Sequence, residues 1–136
     1  MRRMLLNCLI LLLSASISAS ASEATHMYLE KDYQNVWCSL NNGVSEYMLP
    51  DKTRVDCVTK DYAIEFDFAN KWAEAIGQAL YYSVCLGKSA GVVLILEKPT
   101  KDNKYLNRLL SVAKLYNITV WSVTPEILLN KPICDN

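Results

Sequence analysis

The sequence predicts an α/β domain of element order α-β-β-β-α-β-α-β, with a mixed central sheet flanked by helices. Three observations carry that prediction. Thr53–Val58 and Tyr62–Phe68 alternate apolar and polar residues on either side of Lys60-Asp61, as two strands of a hairpin do. Gly91–Leu96 (GVVLIL) is a continuous apolar run, the mark of a strand buried on both faces. Helical spacing then separates that run from a strand on each side, which makes crossover connections and parallel pairs.

The elements follow in order. Arg2 and Arg3, the apolar stretch Met4–Leu13 and the small residues Ser14–Ser22 form the three parts of a secretory signal, with cleavage expected after Ala21. The apolar stretch falls short of the ~20 residues that span a bilayer. The expected product is therefore exported, to the periplasm or outside the cell, with no transmembrane segment after cleavage. Residues 22–28 read as a flexible arm, and residues 29–136 as a single domain.

Leu29–Leu40 places Leu29, Tyr33, Val36, Trp37 and Leu40 on one helical face, with Asn41-Asn42-Gly43 as the stop. Ser45–Leu49 reads as a short strand and Pro50-Asp51-Lys52 as a turn. The hairpin follows. Asn70 is a candidate N-cap for a helix that ends near Leu86 at Gly87. Its core side is expected to carry Trp72, Ala75, Ile76, Ala79, Leu80 and Ser83. After the buried strand, Asp102 is a candidate cap for a helix to Tyr116 with the stripe Leu106, Leu109, Leu110, Ala113. Ile118–Val123 is the last strand, and Pro125–Leu129 a short helical turn.

Composition narrows the chemistry. The chain has 14 Lys+Arg and 14 Asp+Glu, so removing Arg2 and Arg3 leaves 12 basic against 14 acidic residues. Charge alone does not point to nucleic acid. Cys38, Cys57, Cys85 and Cys134 remain after cleavage, without CxxC spacing, and His26 is the one histidine, which disfavours a zinc site. An oxidising compartment permits disulfides, and four cysteines allow three connectivities. Cys57, on the apolar face of a strand, reads as a buried thiol.

The informative stretch is Arg54–Asp67. A two-residue turn at Lys60-Asp61 pairs Cys57 with Ile64, Asp56 with Glu65 and Arg54 with Asp67. Val55, Cys57, Ile64 and Phe66 then share an apolar face; Arg54, Asp56, Glu65 and Asp67 share the other. Facing carboxylates repel and call for a proton or a cation between them. Mg²⁺ or Mn²⁺ suits such oxygen donors, with Glu46 on the preceding strand as a third ligand. Arg54 is expected to pair with Asp67, or to reach Asp56. In the next helix Lys71, Glu74, Gln78 and Tyr81 or Tyr82 run down one side, and Lys71 opposes the helix dipole.

These residues, in this order on these elements, resemble the PD-(D/E)XK nuclease superfamily. Its core order is helix, three strands, helix, strand. Its signature is an acid in the second strand and Glu-x-Lys in the third, often with an early Glu and a Gln, sometimes followed by Tyr, in the next helix. The matching residues are Glu46, Asp56 (RVDCV), Glu65 (AIEFDFA) and Gln78 (EAIGQALYY), within a resemblance that spans residues 29–124. Asp67 stands where the motif lysine is expected, and Lys71 is the candidate for a lysine supplied from the helix.

The resemblance implies a restriction-endonuclease-like fold and a metal-dependent nuclease that hydrolyses phosphodiester bonds of DNA or RNA. Asp56, Glu65, Lys71 and Gln78 would be catalytic. Asp56, Glu65 and Glu46 would hold the ion, supported by Arg54, Asp67 and Tyr82. The departed lysine and the mildly acidic mature chain imply the alternative, a catalytically degenerate interaction domain of the cell envelope.

Overall fold

The computed structural model describes residues 25–130. The expected signal peptide, the start of the arm, and Cys134 lie outside the described residues. The observed order is α1 (Glu30–Leu40), β1 (Val44–Met48), β2 (Arg54–Val58), β3 (Tyr62–Phe68), α2 (Trp72–Leu86), β4 (Ser89–Ile95), α3 (Pro99–Tyr116) and β5 (Thr119–Val123). The predicted order α-β-β-β-α-β-α-β is thus the observed one. Short 3₁₀ helices at Ala69–Lys71 and Pro125–Asn130 precede α2 and follow β5.

The five strands lie in sequence order in one mixed sheet. β1, β2 and β3 form an antiparallel meander, and β3, β4 and β5 are parallel. Antiparallel neighbours need only tight turns; each parallel step needs a crossover, and α2 and α3 supply them. Both crossover helices cover one face of the sheet. Ala75 and Ala79 of α2, with Leu109 and Ala113 of α3, pack on Ala90, Val92 and Leu94. On the other face, Tyr33 and Trp37 of α1 meet Ile64, Phe66, Val93 and Ile95, joined by Ile127 and Leu128. The result is three layers with the sheet in the middle.

Cys38 of α1 and Cys57 of β2 form a disulfide, S–S 2.05 Å. Cys57 is therefore a crosslink and not the expected free thiol. Gly43 makes room for it, since a Cβ there would fall 2.6 Å from Cys38 Sγ and closer still to Cys57 Sγ. Cys85 is free and exposed.

Local expectations needed correction at several points. α2 is entered through the Ala69–Lys71 turn with Lys71 at its N-cap, so Asn70 does not cap it. Its stop at Gly87 is as expected, in the left-handed region at φ 62°. Pro99 starts α3 three residues before Asp102, whose carboxylate accepts the Lys98 N–H at 2.8 Å from inside the first turn. Leu110, expected in the buried stripe, is exposed, while Leu109 and Ala113 are buried. Part of the expected loose arm is tied down. The Glu97 carboxylate accepts the Met27 and Tyr28 N–H groups and the Tyr33 hydroxyl, and His26 stacks on Phe68.

Candidate active site

β3 is the strand that makes the site. Alternation sends Ile64, Phe66 and Phe68 into the α1-side core. The intervening Ala63 packs against Tyr82 of α2, so Glu65 and Asp67, of the same parity, belong to the α2 side. Both acids are buried, at 6% and 5% exposure.

The predicted β2–β3 register is present at Cys57↔Ile64 and Val58↔Ala63. One step further, the ladder gives way to side-chain chemistry. Asp56 Oδ2 accepts the Phe66 N–H at 2.8 Å, and the Asp56 carbonyl accepts Gln34 Nε2 at 2.6 Å. This break overturns the simple two-face reading of β2. Val55 packs with Leu49, Ala63 and Tyr82, whereas Cys57 packs in the α1-side core. Residues two apart thus lie in different clusters, and the β2–β3 ladder ends between them at Cys57↔Ile64.

On the outer side, Glu46 interrupts β1 with φ 56°, a left-handed conformation uncommon outside glycine. Its Oε1 accepts from Gln34 Nε2 and its Oε2 from Arg54 Nη1, each at 2.9 Å. Arg54 therefore pairs with Glu46 and not with Asp67. Glu46 is a strut between α1, β1 and β2, with both oxygens already engaged. Gln34, 2% exposed, is the joint.

The electrostatics single out Glu65. Its Oε2 is buried without a hydrogen-bond partner, a situation that costs about 1–3 kcal/mol, more for a charge. Burial, then the charges of Asp56, Glu30 and Asp67, push its carboxyl far above the usual range. Burial also raises Asp56, while the Phe66 N–H pulls it down. After burial, the Asp56 charge is the largest influence on Glu65. The two carboxyls behave as a pair in which Glu65 keeps the proton.

Two more acids surround the pair. Burial raises Asp67 to about 6 against the pull of Lys71 and of the Phe68 N–H. Burial, Asp56 and Asp67 raise Glu30 to about 7, again against Lys71. Lys71 therefore lies in electrostatic reach of Asp67 and Glu30. Tyr82 is buried, its phenol raised by burial and by the Glu65 carboxyl, and Gln78 lies one turn earlier on the same helix. Gln78 itself is exposed, at the rim.

The structure thus gathers Asp56, Glu65, Asp67, Lys71 and Tyr82, with Gln78 at the margin and Glu46 and Arg54 as an outer strut. Sequence reasoning missed Glu30 and Gln34. Glu30 had a signal, an acid in the first turn of a helix. Which strand that turn would face was not legible.

The donor set is all oxygen, which suits a hard divalent ion. Mg²⁺ commonly takes one or two carboxylates and completes its shell with water and substrate phosphate. Asp56 and the unpartnered Oε2 of Glu65 meet that requirement. Among the described residues no three His, Cys, Asp or Glu side chains converge as a ready ligand cluster. No protein-family model, no curated protein and no solved structure matches the chain.

Proposed function

We propose that this chain is an exported, metal-dependent nuclease built on the restriction-endonuclease-like plan of the PD-(D/E)XK superfamily. Its substrate is DNA or RNA, cut at phosphodiester bonds. The observation that carries this reading is the buried, unpartnered Glu65 oxygen beside Asp56, with Lys71 in electrostatic reach of the adjoining acids Asp67 and Glu30. A structural pair would be expected to satisfy its lone pairs within the protein. The Cys38–Cys57 disulfide supports export, because such bonds persist in oxidising compartments.

In this mechanism Asp56 and Glu65 would hold Mg²⁺ or Mn²⁺, with Glu65 required in its ionised form. The ion, when bound, lowers the pKa of a bound water and offsets charge on the phosphate. Asp67 and Glu30 hold Lys71 toward the site. The Lys71 ammonium orients the attacking water and stabilises the developing oxyanion. Tyr82, buried on α2, closes that side against bulk water. Arg54, Glu46 and Gln34 fix the carbonyl and the strand direction at Asp56.

A second reading is favoured by one observation. Asp67 replaces the motif lysine, and with Glu30 it adds negative charge where a phosphate would approach. In that reading the chain is a non-catalytic interaction domain in the cell envelope.

Glu65→Gln separates the two. Glutamine mimics the protonated acid in shape but lacks the negative charge that the proposed ion site needs. Purified protein is incubated with plasmid DNA and single-stranded RNA in Mg²⁺, Mn²⁺ or EDTA. The nuclease reading expects metal-dependent cleavage by wild type and none by Glu65→Gln. Folded wild type that cleaves neither substrate in any condition establishes the interaction domain instead.

A further inference from the structure

The stretch from Lys98 to Tyr116 holds Lys98, Lys101, Lys104, Arg108 and Lys114 against one acid, Asp102, in a chain with no net formal charge. The helix sorts them. At 3.6 residues per turn, Lys101, Lys104 and Arg108 fall within roughly a sixth of the circumference of α3, along about 10 Å of its axis. All three are exposed. Among the described residues, none of the five cations lies in a salt bridge. Lys104 Nζ and Arg108 Cζ instead sit over the Tyr105 ring, 4.8 and 5.6 Å from its centroid. Cation–π contacts of this kind hold a charge in place without neutralising it.

Tyr105 also ties the stripe to the site. It packs in the same cluster as Ala69 and Trp72, the residues that flank Asn70 and Lys71. α3 packs directly on the Ala69–Lys71 turn. The basic stripe and the candidate catalytic lysine are thus neighbours across one small contact.

We propose that the Lys101–Lys104–Arg108 stripe of α3 is a docking track for the sugar–phosphate backbone of nucleic acid, leading the strand to Lys71 and the Asp56–Glu65 pair. The track deepens the nuclease reading and rests on it. Its length matches the axial rise of about three phosphates along one strand. Contacts from these side chains to phosphate position the strand and carry no sequence information, so binding through the track is independent of sequence. The track also answers the acidity of the site, since cations beside it offset the repulsion between phosphate and the four acids.

The test measures binding without cleavage. A fluorescent 30-nucleotide single-stranded DNA is titrated with purified protein in EDTA, by anisotropy, from 50 to 200 mM salt. Wild type is compared with Lys101→Glu/Lys104→Glu/Arg108→Glu, and with Lys52→Glu, a surface change far from α3 in the β1–β2 turn. The expected result is at least a tenfold loss for the triple variant, none for Lys52→Glu, and a salt slope shallower by about 2. Circular dichroism checks that the triple variant is folded. Equal loss in both variants, or none in the triple variant, overturns the track. A wild type that ignores DNA but binds phosphatidylglycerol vesicles through the stripe overturns it in favour of a membrane surface. Because EDTA removes the metal, failure of the track is separate from failure of catalysis. Binding with no cleavage in Mg²⁺ or Mn²⁺ retains the track and defeats the nuclease.

Discussion

The two faces of β3 are made by alternate residues of one seven-residue strand, yet they are built on opposite principles. On the α1 side Ile64, Phe66 and Phe68 enter an aromatic and aliphatic core, with Trp37 edge-on to Phe66, and the Cys38–Cys57 disulfide secures it. On the α2 side Glu65 and Asp67 are as well buried, and burial raises both carboxyls while the Asp67 charge raises Glu65 further. The first face contributes stability. The second consumes some of it. A small domain keeps such a face where binding or chemistry needs it, and the rigid face behind holds the acids in position.

Changes on each side should break this contrast in different ways. Phe66→Ala should cost the most, about 3–5 kcal/mol, through lost packing and a cavity. Urea unfolding would measure it; a loss below about 1 kcal/mol would mean the α1-side core is not the stabilising face. Replacing both Cys38 and Cys57 by Ala opens a loop closed across 19 residues and should cost about 3 kcal/mol, roughly 10–20 °C in Tm. Calorimetry with and without reductant reads it directly.

On the polar side, Lys71→Ala should lower cleavage about 100-fold, equivalent to about 3 kcal/mol of barrier, with little change in Tm. Lys71→Ala/Asp67→Lys, which restores Glu-x-Lys, should recover part of that activity. If the single variant cleaves like wild type, the lysine has not migrated to this helix.

Glu30→Gln sharpens the comparison through pH. Glu30 is raised from 4.5 to about 7 in the folded protein, so the contribution of its carboxyl is fully present below about pH 4.5 and is lost as pH rises through 7. The variant should match wild type at pH 4.5 and be more stable at pH 8. The gain is of order 1 kcal/mol once solvent screening of this half-buried group is allowed for. Equal stability at both pH values would show that Glu30 is not part of the acid cluster.

The smallest stability change is expected at Glu65 itself. Glu65→Gln should leave Tm in EDTA within a few degrees of wild type, because glutamine replaces an acid that is already neutral. If the proposed ion site holds, Mg²⁺ should raise the Tm of wild type, more at pH 8 than at pH 6 because ion binding releases a proton, and the variant should lose that rise. Thermal scans with and without Mg²⁺ provide both readings.

Much of the fold was legible along the chain. The hairpin register followed from alternation and a two-residue turn, and Cys57↔Ile64 and Val58↔Ala63 are paired as expected. The buried strand announced itself as a continuous apolar run. The break at Asp56 was not legible, because alternation assumes an unbroken ladder. An aspartate that takes a neighbouring strand's N–H looks, in sequence, like any polar residue on an alternating strand. The Glu46–Arg54 pair was missed for a related reason. The left-handed backbone at Glu46 redirects a side chain that strand geometry would have aimed at the site.

Periodicity and turn chemistry are local, so the order of elements, the β2–β3 register and the candidacy of Asp56, Glu65 and Lys71 could be read from the sequence alone. Three matters were settled only in three dimensions: that Cys38 and Cys57 are partners, that Glu30 joins the acids, and that α3 packs on the Ala69–Lys71 turn. Each depends on which helix crosses which strand and at what height. That choice is made by packing between segments distant along the chain, for which no short window of sequence carries a signal.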